Sequence, residues 1–224
     1  MENYNENNLI KIAGKVVEEP VFSHELYEEK FYILYIETRR LSQYSDKLPV
    51  IISERLYDIS NIKKDDIFYI EGQFRSYNKL NEGKSKLILS IFAREFVKKD
   101  DEEILTLNDA NFVGFICKQP IYRKTPLGRE IADVLVAVNR SYKKSDYIPC
   151  ILWGRNAKFC ETLPVGSKVK ISGRIQSRKY EKKNQDGTVI PKVAYEISVS
   201  KFSIAKDENV EDVKVDDNNN DNVK

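Results

Sequence analysis

Apolar and polar positions alternate along most of this chain. DVLVAVNR (133–140) is a strand-like apolar run, and DYIPCILW (146–153) and KVKISGRIQSRKY (168–180) place apolar residues at every second position. That is the period of a strand, whose side chains point to opposite faces in turn. In 146–155 one parity carries Ile148, Cys150 and Leu152, a plain core face. The other carries Tyr147, Ile151, Trp153 and Arg155. One segment breaks the period: NAKFCETL (156–163) spaces Ala157, Cys160 and Leu163 along one helical face, and PVG ends it. TPLG (125–128), QDG (185–187) and NEG (81–83) mark turns.

The pattern occurs twice, in a register close to 100 residues. Gly14-x5-Pro20 matches Gly114-x5-Pro120, each after an Asn (Asn8, Asn111). YILYIETRR (32–40) lies over DVLVAVNR, with Arg40 facing Arg140, and Pro49 and Arg55 lie over Pro149 and Arg155. KKDDIFYIEGQFRSY (63–77) lies over PVGSKVKISGRIQSRKY (164–180), with Gly72 facing Gly173, and KLILSIFAREF (86–96) lies over AYEISVSKF (194–202). Each copy reads as a strand, a charged hairpin loop, two strands, a short connecting helix and two more strands. Alternation alone fits another small barrel or sandwich equally. The element order is that of an OB-fold, a five-stranded Greek-key barrel. The expectation is therefore an all-β chain of two tandem OB-fold barrels, each with a short helix between strands three and four. The expected domains are residues 1–100 and 110–205, with a linker at 101–109 and a disordered acidic tail at 206–224.

Charge separates the copies. Residues 1–105 carry a net −4, residues 106–205 a net +10, and residues 206–224 a net −4. A basic block between acidic ones calls for an anionic partner in the middle of the chain. One histidine (His24) and three cysteines without a CxxC give too few soft ligands for zinc, so the thiols are expected to be buried and reduced. P-loop, Gly-rich dinucleotide turn and Ser-centred elbow are all missing from the sequence. Adjacent Asp65 and Asp66 would point apart on a strand and read as a turn. Neither an enzyme nor a cofactor is expected. No run reaches the roughly 18 apolar residues that would span a bilayer, and the N-terminus reads as no signal, so the expected address is cytoplasmic with no membrane partner.

The second copy resembles the bacterial single-stranded DNA-binding proteins. The resemblance rests on AVNR (137–140), on the aromatic Tyr147 before the core strand, on WG..A in 153–157, on G..V.I.GRI..R.Y in 166–180, and on the late D-G turn. It covers about 90 residues; the first copy looks like a divergent version of the same unit. The resemblance implies a protein that coats single strands during replication, recombination or repair, without catalysis. It places Tyr147, Trp153 and Tyr180 at positions where that family stacks bases. It also implies four OB domains per assembly, here a homodimer.

The residues argue for the same chemistry independently. A sequence-tolerant binder of single strands needs aromatic platforms for bases and cations for phosphates. Tyr147 and Trp153 lie six residues apart on one parity, about 20 Å along a strand, a span suited to several nucleotides. On the strand 168–180, Lys168, Lys170, Arg174, Arg178 and Tyr180 share one parity opposite Val169, Ile171 and Ile175. Tyr122, Arg123 and Lys124 cluster in the hairpin; Tyr142, Lys143 and Lys144 precede the third strand, and Arg140 sits just before them. In the first copy Lys47 and Ser53 stand where the rings are, and Ile67, Tyr69 and Gln73 stand where the cations are. Arg55, Arg75 and Tyr77 remain, with Tyr44 as a loop platform. That copy is expected to bind weakly, or to serve packing and dimerisation. The competing reading is a primosome-type or protein–protein adaptor with accessory nucleic-acid binding, RNA included. The tail could recruit replication proteins, but it ends at DNNNDNVK without the terminal aromatic that family members use.

Overall fold

A computed structural model describes residues 7–81, 84–183 and 187–205. The acidic tail, the QDG turn up to Asp186, Glu82 and Gly83 of NEG and the side chain of Tyr142 lie outside the described residues. The first copy comprises β1 (Asn8–Val16), β2 (Val21–Leu26), β3 (Glu29–Arg39), β4 (Ser45–Ser53), β5 (Ile67–Asn81) and β6 (Lys84–Lys99). The second comprises β7 (Asn108–Ile116), β8 (Ile121–Lys124), β9 (Glu130–Arg140), β10 (Lys144–Trp153), α1 (Arg155–Glu161), β11 (Lys168–Lys183) and β12 (Val189–Ile204).

In each copy five strands close on themselves. β1 pairs with β5 and, at its end, with β3 through Lys15↔Glu37; β4 and β6 run parallel through Val50↔Ile91. The second copy repeats this with Phe115↔Ala137 between β7 and β9 and Cys150↔Ile197 between β10 and β12. Closure follows from the alternating pattern, which turns Ile12, Leu34, Ile36, Val50, Ile52, Phe74 and Ile91 inward in one barrel. Val134, Val136, Ile148, Cys150, Leu152, Ile171 and Ile197 do the same in the other. Both folds are OB barrels. The charged hairpin loops of the sequence reading are themselves strands: β2 and β8 fold back on β3 and β9 and lie at the two outer edges of the sheet order.

Gly72 and Gly173 sit where the register between the last two strands of each barrel shifts by one residue. A Cβ at either position would lie 2.3 Å from the carbonyl oxygen of Phe92 or Ser198, so only glycine admits the bulge that curves the barrel.

The two barrels are joined by antiparallel pairing of β1 with β7, in which Ile10 faces Ala110, its own repeat equivalent. This is the geometry of an isologous dimer interface built within one chain. Asn8 and Asn108 occupy equivalent places beside it. Each side chain accepts the N–H and donates to the carbonyl of one residue, Phe74 and Ile175 respectively, at 2.8–2.9 Å. Asn108, not Asn111, is therefore the counterpart of Asn8.

Two connecting segments add detail to the expectations. Only the second barrel has an α-helix between its third and fourth strands; the first has a single 3-10 turn, Ile59–Asn61. There Asp58 accepts from the Ser60 N–H, the Ser60 hydroxyl and Asn61, local bonds that compete with a helix. The expected linker is packed. Glu103–Thr106 forms a 3-10 turn, Leu105 is buried, and the Thr38 hydroxyl donates to its carbonyl at 3.1 Å. Lys15 and Arg39 both hold Glu102, and β7 has begun by Asn108.

Candidate nucleic-acid interface

Residues paired across two strands carry their side chains to the same face. On β10 the outward residues Tyr147, Ile151 and Trp153 pair with Ala137, Asp133 and Ile131 of β9, and Ile151 also with Ser198 of β12. Ser198, Glu196, Ala194 and Lys192 pair in turn with Arg174, Gln176, Arg178 and Tyr180 of β11. One continuous outer face thus holds all three expected stacking rings. Tyr147, Trp153 and Tyr180 are 41%, 39% and 37% exposed, while Ile151 between the first two is 6% exposed. Each residue is thus part covered and about two-fifths exposed, which leaves aromatic surface available to a base.

The expected cations divide into three groups. Lys170, Lys143, Lys144 and Lys124 are exposed; Lys143 takes a left-handed backbone, φ 55°, that turns the chain into β10. Arg178 is held on the face, with both arms 3.3 Å from the buried carboxylate of Glu196 and its guanidinium carbon 5.9 Å from the Tyr180 ring centre. It stands beside a stacking platform with its charge only part-neutralised. Lys168 is half-buried.

The remaining residues mostly make contacts within the chain. Arg174 reaches Asp46 of the other barrel at 3.4 Å and Gln176 at 3.1 Å. Arg140 lies 3.4 Å from Asp146. Arg75 stacks on Phe92, 3.9 Å from the ring centre, and donates to Gln73 at 2.9 Å. Burial first, and the nearby charge of Arg140 second, lower Arg75 to about 10. Arg123 forks onto Asp133 at 2.7 Å, and Arg55 lies 3.4 Å from Glu29. Tyr122 packs against the core, and burial followed by its hydrogen bond to Glu130 raises its phenol. Arg155 belongs to α1: the strand ends at Trp153, and Gly154, φ 53°, redirects the chain, so strand parity does not place that exposed guanidinium. Tyr77 and Tyr44 are exposed, at 56% and 74%.

Sequence reasoning missed the pair behind two of these contacts, Asp46 and Asp146. Both side chains are fully buried at equivalent places in the repeat. Asp46 accepts the Ser177 N–H at 2.7 Å and its hydroxyl at 3.0 Å, and Arg40 forks onto it at 2.6 and 2.7 Å. Asp146 accepts the Ser76 N–H at 2.7 Å, and the Ser76 hydroxyl accepts the N–H of Tyr147. Each barrel thereby clamps the other, and the second clamp seats the backbone of a stacking tyrosine. The available signal was the spacing: each aspartate follows an arginine (Arg40, Arg140) by six residues.

The first barrel also corrects the view that its face has lost its rings. Ser53, at the Trp153 position, faces Phe31 across the strand pair, where the second barrel has Ile131. The ring has moved one strand over. It is then covered: His24 stacks on Phe31 at 4.9 Å and 9°, Phe31 meets Phe92 at 5.8 Å, and Arg75 caps Phe92. Phe31 is 7% exposed, so these rings stack on one another.

Among the described residues no group of three or more His, Cys, Asp or Glu is placed to hold a metal, and no helix is long and apolar enough to cross a membrane. Cys150 and Cys160 are buried, and burial raises both thiols, Cys160 to about 11; Cys117 is half-buried.

Residues 107–205 match the profile of the single-strand binding protein family. The chain is 40% identical over 90 residues to single-stranded DNA-binding protein B of Bacillus subtilis (strain 168), covering 36% of this chain and 75% of that one. It is 39% identical over 88 residues to single-stranded DNA-binding protein 1 of Staphylococcus aureus (strain COL), covering 36% of this chain and 52% of that one. It thus spans three quarters of the first relative and about half of the second. In fold it is similar to the wild-type single-stranded DNA binding protein from Thermus aquaticus, with a TM-score of 0.72 at 15% identity over 91% of this chain and 95% of that one.

Proposed function

This chain belongs to the single-strand binding protein family, and from that premise and the geometry of its outer face we propose that it binds and protects single-stranded DNA with little sequence preference. The second barrel is the main binder. The observation that carries this reading is the placement of Tyr147, Trp153 and Tyr180 on one continuous face, each ring about two-fifths exposed. Every base has a π-face, so such platforms hold a strand without reading its sequence. Arg178 beside Tyr180, with Lys170, Lys143 and Lys144 around the face, supplies charge for phosphates. The first barrel contributes chiefly to packing, since His24, Phe31, Phe92 and Arg75 are committed to one another.

In this reading the protein works by occupancy in replication, recombination or repair, in the cytoplasm and without catalysis, and two chains supply four barrels. Trp153 is the chain's one tryptophan, so its fluorescence reports on the proposed site directly. Titration with oligo-dT at low salt should quench it strongly, oligo-rU less, and duplex DNA hardly at all. Absence of both quenching and a gel shift with oligo-dT would overturn the reading.

A further inference from the structure

The hairpins at the two outer edges are repeat equivalents with opposite charge. Residues 18–30, which contain β2, hold five glutamates and one lysine, a net −4. Residues 118–130, which contain β8, hold four cations and one glutamate, a net +3. Part of this charge is matched within the chain: Glu18 by Lys47, Glu29 by Arg55, and Arg123 by Asp133. Glu19, Glu25 and Glu28 on one hairpin, and Lys118, Lys124 and Arg129 on the other, are exposed and in no ion pair with a described residue. Both hairpins also expose apolar surface. On the first, Val21, Phe22, Leu26 and Tyr27 are 53–90% exposed, and every residue of β2 faces solvent; on the second, Ile121 is 64% and Leu127 84% exposed.

We propose that the β2 hairpin of one molecule docks on the β8 hairpin of a second copy, head to tail. Like charge blocks β2 against β2 and β8 against β8, so only the unlike pair can meet. The irregular register of β2 between Phe22 and His24 and the shortness of β8 shorten any shared ladder. Contact therefore runs mainly through side chains, with Val21, Phe22 and Leu26 against Ile121 and Leu127 inside a ring of opposite charges. Such a contact is heterologous, so each molecule keeps one unmatched hairpin with which to add the next. It builds a row of molecules in which neighbours on one DNA strand touch. It lies away from the β1–β7 seam and at the far edge of the stacking face, since Ile121 pairs with Asp133, the partner of Ile151.

The test is sedimentation velocity of the full chain without DNA, over a concentration series at low and high salt. Concentration-dependent growth beyond a discrete oligomer is expected at low salt and should fade as salt screens the charges. One variant carries Glu25→Lys with Glu28→Lys, the other Lys124→Glu with Arg129→Glu. Each alone should raise the concentration needed for growth by about tenfold or more. Mixed together they should restore it, since each then offers the complement the other lacks. Circular dichroism checks that these exposed substitutions leave both variants folded. A chain that never grows at low salt overturns the proposal. So does growth indifferent to both reversals, or a mixture that fails to recover.

Discussion

Asp46 receives both the backbone N–H and the hydroxyl of Ser177, at 2.7 and 3.0 Å, from the opposite barrel. Its counterpart Asp146 receives the N–H of Ser76 alone, with no hydrogen bond to the oxygen nearest Arg140. Two places related by the repeat thus differ in how well a buried carboxylate is paid for.

That difference predicts unequal costs of neutralisation. Asp46→Asn breaks the Arg40 fork inside a buried cluster and should lower stability by about 3 kcal/mol. Asp146→Asn keeps an acceptor for Ser76 and removes a poorly paired buried charge while giving up the 3.4 Å contact to Arg140, so the net change should stay within about 1 kcal/mol of zero. Urea denaturation of both variants checks this, and equal losses would show that the clamps are equivalent.

The same pair predicts opposite responses to acid. Burial raises Asp46, but the Arg40 fork and the Ser177 donors outweigh it and hold the carboxyl below the ordinary range. Its contribution is complete above the unfolded carboxylate value and is lost as pH falls through the lowered folded value. For Asp146 burial wins over Ser76 and the two arginines, and the carboxyl is raised. Its ionised form therefore weakens the fold at neutral pH, and that penalty is relieved as pH falls through the raised value. In urea midpoints measured across pH, Asp146→Asn should remove the gain on mild acidification. Asp46→Asn should flatten the loss at lower pH.

Backbone crowding gives a prediction independent of charge. Gly173→Ala places a methyl 2.3 Å from the Ser198 carbonyl oxygen and 3.0 Å from the Val199 Cα. The bulge must open, at a cost of about 1–3 kcal/mol or more. Gly187→Ala meets open space and bears only the strain of φ 85°, about 1 kcal/mol. Thermal melts of the two variants should therefore rank Gly173→Ala well below Gly187→Ala.

How much of this was legible in the chain follows from the range of each interaction. Alternation in DYIPCILW and KVKISGRIQSRKY is local, so strand identity, the inward Ile148, Cys150, Leu152 and Ile171, and the outward Tyr147 and Trp153 could be read directly. The 100-residue repeat carried the barrel order from one copy to the other. What could not be read depends on partners far along the chain. Parity puts Arg174 on the outer face of β11, but only the docking of two barrels brings Asp46 to it, 128 residues away. Comparing Ser53 with Trp153 position by position likewise hid Phe31, which replaces the ring from the neighbouring strand.

The fate of the cations makes the binding face itself testable. Lys170 is exposed, whereas Arg174, four residues on along the same face, is drawn to Asp46. A cation that neutralises a phosphate releases counterions, and for single strands log affinity then falls with log salt by about 0.7 per phosphate. Lys170→Ala should therefore flatten the salt dependence of oligo-dT binding by about 0.7 while leaving the melting temperature nearly unchanged. Arg174→Ala should do the reverse, lowering the melting temperature with the slope intact, because its charge is already spent between the barrels. Trp153→Ala separates the third contribution: it removes stacking worth about 1–3 kcal/mol per base, weakening binding at every salt concentration without changing the slope. Measured as salt titrations of all three variants, a common slope change would mean that stacking and phosphate contact are not divided among these residues as their geometry assigns.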